Sequence, residues 1–170
     1  MPLEAFLHEA ADAALLVGAA KHLTFPVSVD PPGLVVRADA ERLHQVVANL
    51  LHNAVRHSPP NSSVRLDATR RGGDVVIDVV DQGPGISPAQ REIVFERFAR
   101  GNTSAQTGQI PTGGTGIGLA IARWAVGLHG GTIEVADTPT GCTMRLTLPM
   151  HHPPSGPPTA VAPYRERGAA

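Results

Sequence analysis

The sequence lacks a second cysteine and lacks any excess of charge of one sign. Cys142 has no partner for an internal disulfide, so a cytoplasmic location in a reducing compartment is expected, and the residue is interpreted as a small turn residue. The 14 Lys and Arg residues nearly balance the 15 Asp and Glu residues, giving a net charge of -1. Such a chain produces no field that gathers nucleic acid or anionic lipid. We therefore expect no nucleic acid partner.

Long apolar runs and a secretion signal are also missing. Residues 13–20 form the longest apolar run near the N-terminus, far short of the roughly 20 residues that a spanning helix needs. The N-terminus has no basic region of the kind that opens a signal peptide, and Glu9 and Asp12 interrupt the apolar residues after it. A chain of 170 residues has the length of one domain. The sequence thus predicts a soluble domain with no direct membrane insertion.

An amphipathic helix with an unusual polar border is present. Apolar residues recur at helical spacing, at Leu43, Val46, Val47, Leu50, Leu51 and Ala54. The four residues Asn49, Asn53, Arg56 and His57 fall within an arc of about 100° along one border of this stripe. Inside a helix, asparagine costs roughly 0.7 kcal/mol relative to alanine, so the asparagine pair needs an explanation. The amide oxygens either bind a hard cation or a polar ligand, or they belong to a solvated helix face.

Periodicity and turn residues predict the remaining elements. Helices are predicted at residues 3–20, 87–98 and 116–128, and strands at residues 23–29, 34–37, 64–69, 74–80, 132–136 and 143–148. Asp39 is the predicted N-cap of the asparagine helix, and Ser87 is the predicted cap of the helix that comes after it. Residues 99–115 are rich in Gly, Thr and Gln, which predicts a mobile loop. The five prolines among residues 151–170 predict a disordered tail.

Four further segments follow the asparagine helix in a fixed order. They are Asp81-Gln82-Gly83-Pro84-Gly85-Ile86, Phe95-Glu96-Arg97-Phe98 with Arg100, Gly113-Gly114-Thr115-Gly116-Ile117-Gly118-Leu119, and Gly141-Cys142-Thr143-Met144. Any one glycine motif is weak by itself, whereas the ordered set is specific. Together with the asparagine helix, the set resembles the N, G1, F, G2 and G3 boxes of the ATP-binding domain of bacterial sensor histidine kinases, which belong to the Bergerat-fold group. The resemblance covers residues 1–150.

The resemblance implies a fold of the α+β class. It is a two-layer α/β sandwich with a mixed, mostly antiparallel sheet and helices on one face. The predicted strands agree with this, because hairpins join them and no regular alternation of strands and helices is seen. The nucleotide is expected between the sheet and the helices. Residues 1–150 form the catalytic domain in this interpretation, and residues 151–170 form the tail.

The resemblance assigns the adenine end of the pocket to the first and last of the four segments. Asp81 matches the family residue that accepts a hydrogen bond from the adenine amino group, and a plain turn residue is the alternative. Gly83 and Gly85 let the backbone pass close under the ring, and Ile86 lines the pocket. Thr143, in the last segment, is expected to join the cofactor-binding residues.

The phosphate end is assigned to the third segment and to the asparagine helix. Backbone N–H groups at a helix start hold phosphate oxygens. The cofactor-binding residues expected there are Gly114, Thr115, Gly116, Ile117, Gly118 and Leu119. Asn53 matches the residue that coordinates Mg²⁺, and Arg56 matches a basic residue that reaches the phosphates. His57 matches a side chain that lies against the adenosine or its phosphates. Arg97 and Arg100 match basic positions that steady the transferring phosphoryl group, with surface helix charges as the alternative.

Asn49 indicates phosphoryl transfer to an acceptor other than water. ATPases of the gyrase type carry a glutamate four residues before the metal-binding asparagine, and this glutamate activates water as a general base. Asn49 stands at that position, and an amide cannot accept the proton. With Asn49, Arg56 and Arg97 as its catalytic residues, the resemblance implies a protein kinase.

The sequence lacks a phosphoacceptor histidine of the expected type. Sensor kinases carry this histidine on a dimeric helical hairpin in a His-Glu-x-Arg-x-Pro motif, and His8 and Glu9 match only the first two letters. Too few residues precede the first predicted strand for such a hairpin. The acceptor is therefore expected on a separate partner protein that carries the hairpin and passes the phosphoryl group to a response regulator. A natural subunit of a split kinase and an excised domain of a longer kinase both remain open.

Two other functions remain compatible with the same pocket. A serine protein kinase of the anti-sigma-factor type shares the fold and the asparagine helix. A non-catalytic module that senses ATP and regulates a partner kinase needs only the binding site. The acid stability of the phosphoprotein distinguishes the serine kinase from the histidine kinase, and the absence of any transfer identifies the sensing module. A GTP-binding protein is disfavoured because the chain has no Gly-Lys-Ser/Thr phosphate loop.

Overall fold

The computed structural model describes residues 1–96 and 117–150. In chain order the elements are α1 (Leu3–Gly18), β1 (Val27–Asp30), α2 (Ala40–His57), β2 (Arg65–Arg71), β3 (Asp74–Asp81), α3 (Gly118–Leu128), β4 (Thr132–Ala136) and β5 (Cys142–Pro149). Short 3₁₀ turns occur at Ala19–Lys21, Pro88–Gln90 and Ile93–Phe95. The predicted loop at 99–115 and the predicted tail at 151–170 lie outside the described residues. Within the described ranges, no helix combines the length and the apolar character needed to span a bilayer.

Helix α2 begins at a side-chain cap and buries one stripe. The Asp39 Oδ1 atom accepts hydrogen bonds from the backbone N–H groups of Glu41 and Arg42, both at 3.1 Å. These are donors that the start of a helix otherwise leaves unpaired, so the predicted cap is confirmed. The buried residues of the helix are Leu43, Val46, Val47, Leu50, Leu51, Ala54 and Val55. Asn49 and Asn53 lie half-buried at the border of this stripe.

The five strands form one mixed sheet in the order β1-β2-β3-β5-β4. Strand β1 runs parallel to β2, and every other neighbouring pair is antiparallel. The two predicted hairpins are both present, as β2 with β3 and β4 with β5. Helices α1, α2 and α3 contact β1, β3 and β4 respectively, and each also contacts a neighbouring helix. The predicted two-layer α+β sandwich is confirmed.

The two faces of the sheet differ in chemistry because side chains alternate along each strand. Leu66, Ile77 and Leu146 belong to the buried apolar cluster that the helices cover. On the opposite face, Arg145 donates from Nε and Nη2 to the two carboxylate oxygens of Asp78, at 2.8 and 2.7 Å. The helix layer therefore covers the apolar face, and the other face carries an ion pair.

The predicted helix at residues 87–98 is wrong over its described part. The chain instead forms the two 3₁₀ turns at Pro88–Gln90 and Ile93–Phe95. The Ser87 Oγ atom donates to the Gln90 Oε1 atom at 3.1 Å and makes no bond to the backbone. Since the two side chains satisfy each other, the first turn receives no cap that would extend it into an α-helix.

The two strands predicted before the asparagine helix are shorter than expected. In place of the strand predicted at 23–29, the structure has β1 and an isolated bridge between Thr24 and Ser63. In place of the strand predicted at 34–37, it has one bridge between Pro2 and Val35. Prolines at positions 26, 31 and 32 lack the N–H group that a ladder needs. The apolar residues of both segments still reach the core, as Leu34 shows with 4% exposure.

A buried histidine ties the end of α3 to the start of α2. His129 follows α3, and its Nε2 atom accepts the backbone N–H of Asp39 at 3.0 Å. Because Nε2 is the acceptor, the proton of the neutral ring lies on Nδ1, which donates to the Ala125 carbonyl oxygen at 2.8 Å. Gly130, with φ of +68°, then turns the chain towards β4. The two helices that border the predicted cleft are thus joined at one end.

Candidate functional site

Asp81 provides the buried carboxylate of the candidate site. It is the last residue of β3 and is 4% exposed, and its Oδ1 atom accepts the backbone N–H of Gly83 at 2.8 Å. Burial raises the pKa of this carboxyl, whereas the N–H groups of Gly83 and Cys142 and the His57 ring oppose the rise. A carboxylate has about four lone-pair sites, so two backbone donors leave capacity for a ligand. The group can accept a hydrogen bond from an amine in the cleft.

The loop after β3 packs directly against the end of α2. A Cβ atom on Gly83 would lie 2.9 Å from the His57 carbonyl oxygen and 2.9 Å from the Asp81 Oδ1 atom. Real Cβ atoms do not approach so closely, so any side chain at position 83 would push the loop away from the helix. The absence of a side chain at Gly83 therefore lets the sheet and α2 meet at one corner.

The last glycine segment closes the same corner. Gly141 has φ of +73°, and a Cβ atom there would overlap the Asp81 carbonyl oxygen. A Cβ atom on Gly85 would lie 2.8 Å from the Gly141 carbonyl oxygen. Beside these contacts lies a cavity of about 310 Å³, whose lining includes Gly85, Ile86 and Cys142. The backbones of the two glycine segments thus pack against each other, and both segments contribute to the lining of this cavity.

His57 and Arg56 stand at the end of α2, beside this corner. Part of the His57 side chain reaches solvent, but the ring is covered enough that desolvation lowers its pKa. The Arg56 guanidinium lowers it further, the Asp81 carboxylate opposes that effect, and the Lys21 ammonium adds a smaller decrease. The ring is therefore neutral near pH 7. Positive charge at this end of the cleft comes from Arg56, which is exposed.

The other end of the cleft is formed by Asn49 and the start of α3. The Asn49 Nδ2 atom donates to the Gly118 carbonyl oxygen at 3.2 Å, and a Cβ atom on Gly118 would lie 3.5 Å from the Asn49 Oδ1 atom. Asn53 comes one turn further along α2 and is half-buried. Helix α2 therefore meets α3 at Asn49 and the Asp81 loop at its C-terminal end, with Asn53 between the two contacts.

Thr143 lies on the opposite face of the sheet from Asp81. In the β3–β5 ladder Asp81 pairs with Cys142 and Val80 pairs with Thr143, and successive pairs alternate between the faces. Cys142 is 5% exposed, and burial, with the Asp81 charge adding to it, raises the pKa of its thiol to about 12. Cys142 is thus a neutral strand residue beside Asp81, and its interpretation as a turn residue is wrong. Cys142 is therefore the residue of this segment whose side chain shares the face of Asp81.

The remaining predicted site residues fall partly outside the described ranges. Arg97, Arg100, Gly114, Thr115 and Gly116 lie outside the described residues. From the same glycine segment, Ile117 directly precedes α3, and Leu119 packs against the apolar core. In residues 1–96 and 117–150, no cluster of three or more His, Cys, Asp or Glu side chains is placed to hold a metal ion. A cation bound at Asn53 would take its other ligands from a bound molecule and from water.

Residues 38–152 match the family described as histidine kinase-, DNA gyrase B- and HSP90-like ATPase. The probable sensor histidine kinase TcrY of Mycobacterium tuberculosis is 43% identical to this chain over 124 residues. The aligned part covers 73% of this chain and 26% of TcrY. The chain therefore corresponds to one part of a longer relative.

Two solved structures share the fold. The mycobacterial sensor histidine kinase MprB superimposes with a TM-score of 0.73 at 30% identity, covering 88% of this chain and 95% of the MprB chain. Full-length ShkA in complex with AMPPNP superimposes with a TM-score of 0.72 at 26% identity, covering 91% of this chain and 32% of ShkA. This chain belongs to the histidine kinase-, DNA gyrase B- and HSP90-like ATPase family, and within it to the catalytic domains of sensor histidine kinases.

Proposed function

We propose that this domain binds ATP with Mg²⁺ and transfers the γ-phosphoryl group to a histidine on a separate partner protein. The observation that carries the proposal is the corner where Asp81, Gly83 and the His57 backbone meet, because it sets a buried acceptor beside the end of the asparagine helix. The related ShkA structure holds AMPPNP, an adenine nucleotide analogue, which supports ATP as the ligand. The two ends of the cleft then serve the two ends of the nucleotide.

Adenine is the base that Asp81 recognises. A carboxylate accepts hydrogen bonds and donates none, so it pairs with the exocyclic amine of adenine and repels the carbonyl oxygen that guanine has in its place. The Asp81 carboxylate is fixed by the N–H of Gly83, so its orientation does not depend on the ligand. Ile86, half-buried in the adjacent cavity lining, provides an apolar surface for the ring.

The phosphates and Mg²⁺ are held towards Asn53 and the start of α3. The Asn53 amide oxygen is a hard donor of the kind that Mg²⁺ prefers, and bound phosphates supply further oxygens. When bound, the metal neutralises phosphate charge and orients the γ-phosphoryl group. Arg56 lies nearer the Asp81 end of this border of α2, and its exposed side chain is proposed to reach towards the phosphates. Arg97, Arg100 and the residues of the glycine segment at 114–119 are proposed to complete this end.

Transfer to a protein acceptor, in preference to hydrolysis, follows from Asn49. Its amide cannot act as a general base, and its Nδ2 atom is already engaged by the Gly118 carbonyl oxygen. No carboxylate therefore stands at this position to activate water. Asn49 instead holds the start of α3 close to α2.

The acceptor histidine is proposed to lie on another chain. His8 is exposed on α1, but the buried face of α1 packs on the sheet and on α2, so this helix belongs to the nucleotide-binding domain. His129 is buried and engaged at both ring nitrogens. The partner would carry a dimeric helical hairpin with the acceptor histidine and pass the phosphoryl group to a response regulator. Use of ATP and the single buried thiol support a cytoplasmic location.

A phosphotransfer assay tests the proposal. The chain is incubated with γ-labelled ATP and Mg²⁺, with and without candidate hairpin partners, and with a partner whose histidine is replaced by glutamine. We expect label only on the unaltered partner, in a bond that acid breaks. Label on a histidine of this chain alone would contradict transfer to a partner. Acid-stable label would identify the serine kinase alternative, and tight ATP binding without any transfer would identify the sensing module.

A further inference from the structure

Lysine occurs once among the 14 Lys and Arg residues of this chain, at position 21. Lys21 ends the 3₁₀ turn that comes after α1. Its Nζ atom donates to three backbone carbonyl oxygens, those of Val55 at 2.8 Å, Arg56 at 2.8 Å and Ser58 at 2.9 Å. All three acceptors belong to the last turn of α2 and the residue directly after it. The only lysine therefore closes the end of the asparagine helix.

The chemistry of this contact explains why a lysine is used in a chain that otherwise uses arginine. The last carbonyl groups of a helix have no partner within the helix, and a positive charge near them is favourable. An ammonium directs three N–H donors from one nitrogen atom, which suits three converging carbonyl oxygens. A guanidinium holds its donors in one plane and suits a flat acceptor such as a carboxylate.

The Lys21 backbone strengthens the same connection. Its carbonyl oxygen accepts the N–H of Asn61 at 2.8 Å, so both the side chain and the main chain of Lys21 hold the segment from Val55 to Asn61. Ser58, in the middle of this segment, is 2% exposed. The end of α2 is therefore fixed to the turn that follows α1.

The segment that Lys21 holds is the one that meets the Asp81 loop. The His57 carbonyl oxygen lies in close contact with Gly83, and the adjacent Arg56 and His57 side chains stand at the cleft. We propose that Lys21 is a positioning residue of the nucleotide site, which sets the distance between the end of α2 and the Asp81 loop. This inference rests on the proposed ATP binding. Lys21 itself does not contact the nucleotide.

The first test compares nucleotide affinity in two helix-end variants. Lys21→Met keeps the length of the side chain and removes its three donors, and Asp39→Ala removes the cap at the opposite end of the same helix. We expect Lys21→Met to raise the Kd for ATP with Mg²⁺ about tenfold, within the usual range for coupling between a remote group and a binding site. Asp39→Ala should leave the Kd within about twofold of the unaltered chain, because its cap lies away from the cleft.

The second test uses the unaltered chain, so it does not depend on the stability of a variant. Lys21 offers the only side-chain amine for acylation, and its reaction rate can be followed by mass spectrometry. Acylation requires Lys21 to release its three carbonyl partners. If ATP and Lys21 fix the same segment, ATP with Mg²⁺ should lower the population of chains in which this contact is open and slow the acylation several-fold. If the contact opens locally without any effect on the site, this rate is independent of ATP.

The outcomes separate the two proposals. Failure of the unaltered chain to bind ATP in calorimetry would overturn the proposed function and this inference together. Binding by the unaltered chain with the same Kd in Lys21→Met, or an equal loss in Asp39→Ala, would overturn the role of Lys21 alone. Acylation of Lys21 at the same rate with and without bound ATP would also overturn it.

Discussion

The amide nitrogen of Asn49 donates to the carbonyl oxygen of Gly118 at 3.2 Å, so α2 is hydrogen-bonded to the first residue of α3. The family resemblance aligns Asn49 with the position where ATPases of the gyrase type carry a general-base glutamate. In this chain the side chain at that position joins two helices instead. The contact links the helix that carries Asn53 to the helix whose start is proposed to face the phosphates.

Replacing Asn49 with alanine should weaken this junction. A typical protein hydrogen bond contributes about 1 kcal/mol to stability, and alanine regains roughly 0.7 kcal/mol of helix propensity at this position. We therefore expect Asn49→Ala to lower the free energy of unfolding by only a few tenths of a kcal/mol. Urea denaturation measures the change. Gln45→Ala, at an exposed position on the same helix, is the control and should change stability little. A gain in stability of about 0.7 kcal/mol, the full amount that helix propensity predicts, would show that the bond contributes nothing to the fold.

Replacing Asn53 with alanine should abolish Mg²⁺-dependent transfer while the fold is kept. Asn53 is half-buried at the edge of the apolar stripe, and alanine is a favourable helix residue. Loss of the amide oxygen should reduce phosphotransfer by about 100-fold or more, as the loss of one transition-state contact does elsewhere. Circular dichroism checks the fold, and Gln45→Ala again provides the control. Normal transfer by the Asn53 variant would remove this residue from the metal site.

Replacing Asp81 with asparagine should weaken the binding of ATP and should stabilise the fold. The amide offers an N–H group where the adenine amine needs an acceptor, and a hydrogen bond to a charged group contributes about 1.5–3 kcal/mol, so ATP affinity should fall by about tenfold or more. Calorimetry with ATP and GTP measures the loss of selectivity. The same variant should unfold at a higher temperature at pH 7, because burial disfavours the ionised carboxyl.

The pH dependence of the Asp81 effect has a defined sign. Burial raises the pKa of Asp81 above its ordinary value of 3.8, so the folded chain holds this proton more tightly than the unfolded chain. Its contribution to stability is therefore lost as pH rises through the raised pKa, and it is fully present below 3.8. The stability gain of Asp81→Asn should accordingly shrink as pH falls towards 3.8. A gain that grows under acid would contradict the raised pKa.

Alanine substitutions at two glycines distinguish the cost of a left-handed backbone from the cost of a steric clash. Gly141 and Gly33 have φ values of +73° and +76°, but only at Gly141 would an added Cβ atom meet other atoms within 4 Å, including the Asp81 carbonyl oxygen. Gly33→Ala should destabilise the chain by about 1 kcal/mol, from its left-handed backbone alone. Gly141→Ala should cost roughly 3 kcal/mol, since the overlap adds to the strain. Similar losses in urea denaturation would show that the contact with Asp81 is easily relieved.

Most of the fold could be predicted from the sequence because the patterns that indicate helices, caps and turns involve residues close together in the chain. The apolar spacing of α2, its cap at Asp39 and the glycine turn of the β2–β3 hairpin each depend on neighbouring residues. The strands before α2 were predicted too long because local β propensity takes no account of the N–H donors that proline removes from a ladder. The prediction of an α-helix after Ser87 was wrong because a capping signature in the sequence does not reveal that the Ser87 and Gln90 side chains bond each other.

The candidate site depended more on contacts that span the chain. The face of Thr143 follows from register, and a shift of one residue reverses it. The sequence does indicate the face of Thr143, because the apolar residues of β5 alternate with it, at Cys142, Met144, Leu146 and Leu148. The contact of Lys21 with Val55 joins residues 34 positions apart, and no local pattern marks it. The link from His129 to Asp39 spans 90 positions and was equally unpredictable.

Strands β3 and β5 form eight consecutive pairs, from Asp74 with Pro149 to Asp81 with Cys142. The carboxylate proposed to recognise the base is thus attached to an interior ladder, bordered by β2 on one side and β4 on the other. Amides of such central strands open only with large parts of a protein and exchange their hydrogens slowly. Selection of the base therefore depends on a carboxylate held by the most stable part of the sheet.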